Sequence, residues 1–307
     1  MRIIVALGGN ALLQRGQPLT PQNQLANIQT AAAQLARVAE GNQLVVTHGN
    51  GPQVGLLALE AAAYDADDVF PLDVLGAQTD GMIGYLLEQE LSNRLPVSRR
   101  VTTLLTRVEV DPGDPAFQDP SKPIGPVYTE QQASEVAQKR HWSVGRDGAG
   151  MRRLVASPQP KRVLGLESIR LLLESGAVVV AAGGGGIPVA IGADGRSLHG
   201  VDAVIDKDLC SGLLARQLRA DCLVIATDVS AVFLDWGLPQ QKALGKVSPR
   251  SLASRVFQQG SMGPKVRAAC DFATATGRRA VIGSLAQIEY MLAGTAGTQI
   301  CVDGGEA

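Results

Sequence analysis

Met1-Arg-Ile-Ile-Val-Ala-Leu-Gly-Gly-Asn10 runs apolar from Ile3 to Leu7 and then breaks on paired glycines. A short apolar run of this kind predicts a buried strand, and the glycines predict a tight turn into whatever follows. The single charge of Arg2 ahead of an apolar run also fits a secretory signal. Gly8-Gly9-Asn10 follows at once, however, with no A-x-A-like cleavage site, which favours the strand. Thr20-Pro21 then supplies an N-cap with proline at the first helical position, and Leu25, Ile28, Ala32, Leu35 and Ala39 recur at helical spacing. A second strand over residues 43–47 ends in another glycine turn, His48-Gly-Asn-Gly-Pro52.

Strand, glycine turn and helix form a unit that repeats along the chain. A helical pattern covers residues 81–91, a strand 102–106 and a helix 168–174. The β-branched strand 178–182 runs into Gly183-Gly-Gly-Gly186, and a further helix follows Asp208. Such alternation predicts an α/β fold with a mostly parallel central sheet and helices on both faces. The strand at 223–226 opens a second lobe. In it Ser248-Pro249 caps one helix, another runs over 264–276 to Gly277, and strands fall at 280–282 and 298–302. The expected division is therefore residues 1–213 and 214–307. From about 112 to 160 the alternation stops, and seven prolines crowd a polar stretch with one helical run at 130–140. This is an insertion, read either as a lid or binding loop or as an exposed decoration.

The composition narrows the function classes. With 307 residues, 45% hydrophobic and 19% charged, the chain is an ordinary folded protein rather than a disordered or fibrous one. A formal net charge of -1 gives no global field to draw it to nucleic acid or to an anionic membrane. The apolar runs are strand-sized, too short for a spanning helix. Cys210, Cys222, Cys270 and Cys301 form no CxxC pair, which argues against a zinc site and a disulfide framework and predicts a reducing, cytoplasmic setting.

Any anion site must therefore be local, and the glycine turns supply one. Gly8-Gly9-Asn10, Gly49-Asn50-Gly51 and Gly183 to Gly186 each follow a predicted strand, which places them at the carboxyl edge of the sheet. There backbone N–H groups at helix starts can hold an anion. Each turn alone is equally well explained by the needs of a tight strand-to-helix connection. No G-x-x-x-x-G-K-[ST] occurs, which excludes a P-loop enzyme, and Gly49-x-Gly51-x-x-x-Gly55 has one residue too many for a dinucleotide fingerprint.

The charged run Ile205-Asp206-Lys207-Asp208 lies in an apolar setting just before a helix, and reads either as an organised site or as an exposed helix start. Lys265, in Gly260-Ser-Met-Gly-Pro-Lys265, stands at another helix start, and Lys122 stands in the insertion. A lone lysine is usually only solvated. Phosphoryl transfer would unite these residues, because its transition state needs positive charge and N–H donors around the transferring oxygens rather than a covalent catalyst. Aspartates would hold the lysines or bind Mg²⁺. The three histidines have no metal-ligand spacing, no metal-binding residues are assigned, and no nucleophile motif is present. His48 reads as a positional or hydrogen-bonding residue.

Five segments together resemble the carbamate kinases of the amino-acid kinase superfamily: Leu7-Gly-Gly-Asn-Ala-Leu12, His48-Gly-Asn-Gly-Pro-Gln-Val54, Gly183-Gly-Gly-Gly-Ile-Pro188, Ala203-Val-Ile-Asp-Lys-Asp208 and Gly260-Ser-Met-Gly-Pro-Lys265. Pro120-Ser-Lys-Pro-Ile-Gly125 is similar to that family's protruding subdomain, whose lysine reaches back to the active site. Other amino-acid kinases carry a lysine on the first strand where this chain has Ala6, an absence that matches carbamate kinases. The resemblance implies an open three-layer αβα sandwich, with residues 1–213 taking carbamate or carbamoyl phosphate and 214–307 taking ATP or ADP with Mg²⁺. It implies that Gly8, Gly9, Asn10, Asn50, Gly51, Gly184 and Gly185 surround the substrate. Lys122, Lys207 and Lys265 would neutralise the phosphoryl group, Asp208 would orient them, and Thr227, Asp228, Ser261 and Met262 would face the nucleotide. It also implies a homodimer and a link to arginine or related nitrogen catabolism. Carbamate already carries an anionic oxygen and needs no general base. The alternatives are another small-molecule kinase of the superfamily, a silent protein that binds carbamoyl phosphate or nucleotide, and a dehydrogenase.

Overall fold

The computed structural model describes residues 1–14, 16–65, 69–148, 150–258 and 261–305. Its main sheet has eight strands: β1 (Arg2–Leu7), β2 (Gln43–His48), β3 (Val101–Leu104), β4 (Val178–Ala181), β5 (Cys222–Thr227), β6 (Lys246–Val247), β7 (Arg279–Ser284) and β8 (Thr298–Ile300). They lie side by side in the order β6-β8-β7-β5-β1-β2-β4-β3. Every neighbouring pair is parallel except β7 and β8. The two halves of the chain thus share one sheet, with β1 and β5 paired at its centre from Ile3 opposite Cys222 to Leu7 opposite Ala226.

The opening run is apolar without alternation because β1 has a core on each face. Ile4 and Ala6 pack into one cluster with Val45, Val179, Leu223 and Ile225, and Ile3, Val5 and Leu7 point the other way to join Leu44, Val46 and Val224. All five residues of β1 from Ile3 to Leu7 are wholly buried. Burying a side chain of this size contributes about 1.5–3 kcal/mol.

Helices cover both faces. On one side lie α2 (Pro21–Ala39) and α4 (Leu72–Ser92), through Ile28, Leu35, Ile83 and Leu87. On the other lie α6 (Leu166–Glu174), α7 (Lys207–Gln217) and α9 (Met262–Thr276), through Ile169, Leu214 and Phe272. Short α1 (Gly9–Leu12) and longer α3 (Gly51–Tyr64) start directly after β1 and β2. Thr20 caps α2 by accepting from the Asn23 N–H, as its sequence position requires.

The third strand is shorter than the run 102–106, because Thr106 turns out of it. Its hydroxyl donates to the Leu104 carbonyl at 2.7 Å and accepts the Ala182 N–H at 2.9 Å. The insertion is more ordered than one helix among prolines. Strands Lys122–Tyr128, Val144–Asp147 and Gly150–Val155 form an antiparallel sheet of their own, against which α5 (Glu130–Arg140) packs. Pro123 and Pro126 are tolerated because their strand lies at an edge of that sheet and its register shifts between Ile124 and Tyr128. Among the described residues, no helix is long and apolar enough to cross a membrane.

Candidate active site

The strand ends bring the glycine turns together. The Gly8 N–H donates to the Ala226 carbonyl at 2.9 Å, so the turn after β1 rests on the end of β5. A side chain on Gly49 would press on the Lys207 stem at 3.3 Å and come within 3.7 Å of the Gly9 nitrogen. One on Gly184 would overlap the Asn50 amide, and one on Gly185 would overlap the Ile205 carbonyl. Gly184, Gly185 and Gly186 all have left-handed φ, at 66°, 97° and 85°, a region that side chains other than glycine's adopt at a cost of about 1–2 kcal/mol. The run of glycines is therefore demanded twice, by backbone angle and by close approach. α1 begins at Gly9 and α3 at Gly51, and neither start has a side-chain cap, which leaves first-turn N–H groups available to an anion. Asn10 lies on α1; its side chain and Gly260 fall outside the described residues.

Beside these turns the start of α7 gathers charge. Asp208 is almost fully buried and uses both carboxylate oxygens: Oδ1 accepts from Lys207 Nζ at 2.6 Å and Oδ2 from Lys265 Nζ at 2.8 Å. Lys265 reaches it from the first turn of α9. Lys122 comes from the insertion, but its partner is Asp206, at 2.8 Å. The other oxygen of Asp206 caps α7, accepting the Asp208 and Leu209 N–H groups at 2.9 and 3.2 Å. One aspartate thus holds the helix start and the insertion's lysine together. The charge pattern marks the segment that contains it but not the role of Asp206, because a cap and an ion pair on one residue leave no separate mark in sequence.

Electrostatics follow the geometry. Burial would raise the Asp208 carboxyl, but Lys207 and Lys265 outweigh it and hold it well below the usual carboxylate range. Asp206 is likewise held low, with burial outweighed mainly by Lys122. Burial lowers Lys207 despite the attraction of Asp208, with the like charge of Lys265 adding to it. Lys265 is also opposed by burial, but Asp208 prevails and raises it. The result is a cluster of ammonium groups with their counter-charges behind them, suited to attracting phosphoryl oxygens. Cys210, on the same helix, is no nucleophile: burial pushes its thiol up to about 12.

Across the edge of the sheet, Thr227, Asp228, Ser261 and Met262 line a cavity of about 480 Å³. Its wall includes Phe233 and Trp236, whose rings lie 5.1 Å apart at 59°. The sequence gives no sign of this aromatic pair, since Phe233–Leu234 is a strand of only two residues with no readable period. Ser261 precedes α9 without capping it; the Gly263 N–H there donates to the Gln258 carbonyl at 2.8 Å.

The family model for the amino acid kinase family matches residues 1–284. This chain belongs to that family. Within the amino acid kinase family, a carbamate kinase of Haemophilus influenzae is 55% identical over 98% of this chain and 96% of its own length. One from Rhizobium meliloti is 55% identical over 98% and 93%. Among solved structures, a carbamate kinase from Giardia lamblia bound to citric acid superposes with a TM-score of 0.92 at 37% identity, covering 98% of both chains. The same enzyme bound to AMP-PNP superposes with a TM-score of 0.87.

Proposed function

We propose that the chain is a carbamate kinase, catalysing reversible phosphoryl transfer between ATP and carbamate. The observation that carries this reading is the Asp208 bridge. Two lysines from different helices meet on one buried carboxylate, between glycine turns on one side and the 480 Å³ cavity on the other. Near-full-length likeness to enzymes named carbamate kinase supports it.

In this mechanism the adenine and ribose of ATP occupy the cavity beside Thr227, Asp228, Ser261 and Met262. The carbamate sits among Gly8, Gly9, Asn10, Asn50, Gly51, Gly184 and Gly185, where little but backbone fits against so small a substrate. A carbamate oxygen attacks the γ-phosphorus, a P–O bond forms, the bond to the β-phosphate oxygen breaks, and ADP leaves. No proton need be removed from the nucleophile. Lys122, Lys207 and Lys265 neutralise the oxygens around phosphorus, and Asp206 and Asp208 hold those lysines in place. Mg²⁺ would lend further charge neutralisation to the nucleotide phosphates. Asp208 already spends both oxygens on lysines, and no group of three His, Cys, Asp or Glu suited to a metal occurs among the described residues. These donors fit a magnesium ion carried mainly by phosphates and water rather than one caged by protein.

Residues 1–213 would then form the acceptor lobe, 214–307 the nucleotide lobe, and 112–160 a lid that delivers Lys122. A homodimer in a cytoplasmic, nitrogen-catabolic setting completes the proposal. Exposed Tyr85 on α4 and Leu105, just past β3, line one surface recess and offer an apolar surface for the second copy. Formation of ATP from ADP, carbamoyl phosphate and Mg²⁺ by the purified chain is the test, and no turnover by folded protein would overturn the reading.

A further inference from the structure

His48 and Asp80 face each other in the interior, and neither is completed by its surroundings. Both side chains are wholly buried, and His48 Nε2 stands 3.5 Å from Asp80 Oδ1, too far for a good hydrogen bond. Among the described residues, no protein group hydrogen-bonds to His48 Nε2 or to either Asp80 oxygen. The other ring nitrogen is 3.1 Å from the Gly49 carbonyl, which can only accept, so that contact requires a proton on Nδ1.

The pair lies at the junction of two of the substrate turns. His48 ends β2 immediately before Gly49-Asn50-Gly51. Any side chain on Gly183 would overlap both Asp80 Oδ1 and the His48 ring, so the second turn rests on the pair. Thr79, next to Asp80 on α4, accepts the Asn50 amide N–H at 2.8 Å. Adjacent residues of α4 therefore support both turns, one through a made hydrogen bond and one through an unmade one.

Buried polar groups without partners cost stability, and a carboxylate more than most. A group that costs stability in the free protein and stands against a binding loop is explained by what it does when the loop is loaded. We infer that His48 and Asp80 are positioning residues for the acceptor pocket, and that their contact, bridged by one proton held by the pair in addition to that on Nδ1, shortens to a hydrogen bond when carbamate or carbamoyl phosphate draws the turns at Gly49–Gly51 and Gly183–Gly185 together. This deepens the carbamate kinase reading and rests on it.

The test compares Asp80→Leu and Asp80→Asn with the wild-type chain. Leucine fills the space without polarity, and asparagine keeps a polar group whose amide can donate to Nε2 or accept from it. For Asp80→Leu, kcat/KM for carbamoyl phosphate falls on the order of 10–100-fold, the size of effect that sub-ångström to ångström misplacement produces. KM for ADP stays within about twofold, and the melting temperature holds or rises by about 2 °C, because an unpaired buried carboxylate is gone. Asp80→Asn recovers most of the lost activity. A leucine variant that melts lower and loses no acceptor specificity, or that weakens both substrates equally, overturns the inference. Should Asp80→Leu fail to fold, His48→Phe carries the same test. Should the wild type make no ATP, the assigned reaction fails instead. Melting then judges the pair: a lower value for Asp80→Leu overturns its role, and a held or higher one supports it.

Discussion

Lys122 of the insertion and Asp206 at the start of α7 lie 2.8 Å apart across 84 residues of sequence. Through this pair the insertion's lysine joins the charged cluster, and Asp206 keeps its other oxygen for the helix cap. Asparagine caps a helix as well as aspartate does but cannot hold an ammonium group by charge. Asp206→Asn should therefore leave stability within about 1 kcal/mol of wild type. Lys122→Ala should lower kcat by about 10²–10³, the usual loss when one donor to a developing oxyanion is removed. Steady-state rates and urea melts on the two variants check this. Equal rates for Lys122→Ala and wild type would remove the lid lysine from the mechanism.

Asp208 is the harder residue to replace. Asp208→Ala takes from Lys207 and Lys265, both largely buried, the carboxylate to which each is hydrogen-bonded, which costs about 3–5 kcal/mol. The sign of the acid response follows from the same contacts. The Asp208 carboxyl is held below the 3.8 of an unperturbed aspartate, so its contribution is complete above about pH 4 and disappears as the pH falls further. Urea melts of the wild type between pH 3 and 7 should show stability falling only below about pH 4, and the Asp208→Ala chain should lose much of that acid dependence.

At alkaline pH the relevant group is Lys207. Burial holds its ammonium below the ordinary lysine value of 10.5, ahead of the opposing pull of Asp208. Its positive charge is thus lost earlier than that of a solvated lysine as pH rises, and the rate of ATP formation should decline on that limb before pH 10.5. Lys207→Arg keeps its charge throughout, so its residual activity should lack that limb even though the wider guanidinium lowers the rate by about tenfold or more. An alkaline limb unchanged in Lys207→Arg would assign the titration to another group.

The legible parts of the fold were those with a local cause. The unbroken apolar run of β1 reflects two cores, and Thr20-Pro21 reflects the start of a helix that must be capped. The strand-ending glycines reflect turns that must pass close to one another. In the insertion the helix at 130–140 is legible and the three strands are not, because an edge strand tolerates proline and nothing in a single strand says that it is an edge. The site divided similarly. Lys207 and Asp208 are neighbours in sequence, but the approach of Lys265 to Asp208 spans 57 residues and the facing of His48 and Asp80 depends on how α4 packs. Phe233 and Trp236 escaped notice because their geometry arises from a two-residue strand and a turn.

That aromatic pair gives the nucleotide side its own test. The sequence has two tryptophans, Trp142 in the insertion and Trp236 in the cavity wall. Trp142 is packed against the guanidinium groups of Arg140 and Arg153, at 5.2 and 4.0 Å from its ring centre, and is not part of that wall. A Trp142→Phe chain therefore carries a single tryptophan, whose emission on selective excitation reports on the cavity, and titration with ADP should change it in a saturable way. Trp236→Ala removes an aromatic surface against which a base can rest, a contact of about 1–3 kcal/mol where bases stack on aromatic side chains. KM for ADP should then rise about fivefold or more, with KM for carbamoyl phosphate within about twofold. A change in the carbamoyl phosphate constant alone would move the nucleotide out of this cavity and reverse the assignment of the two lobes.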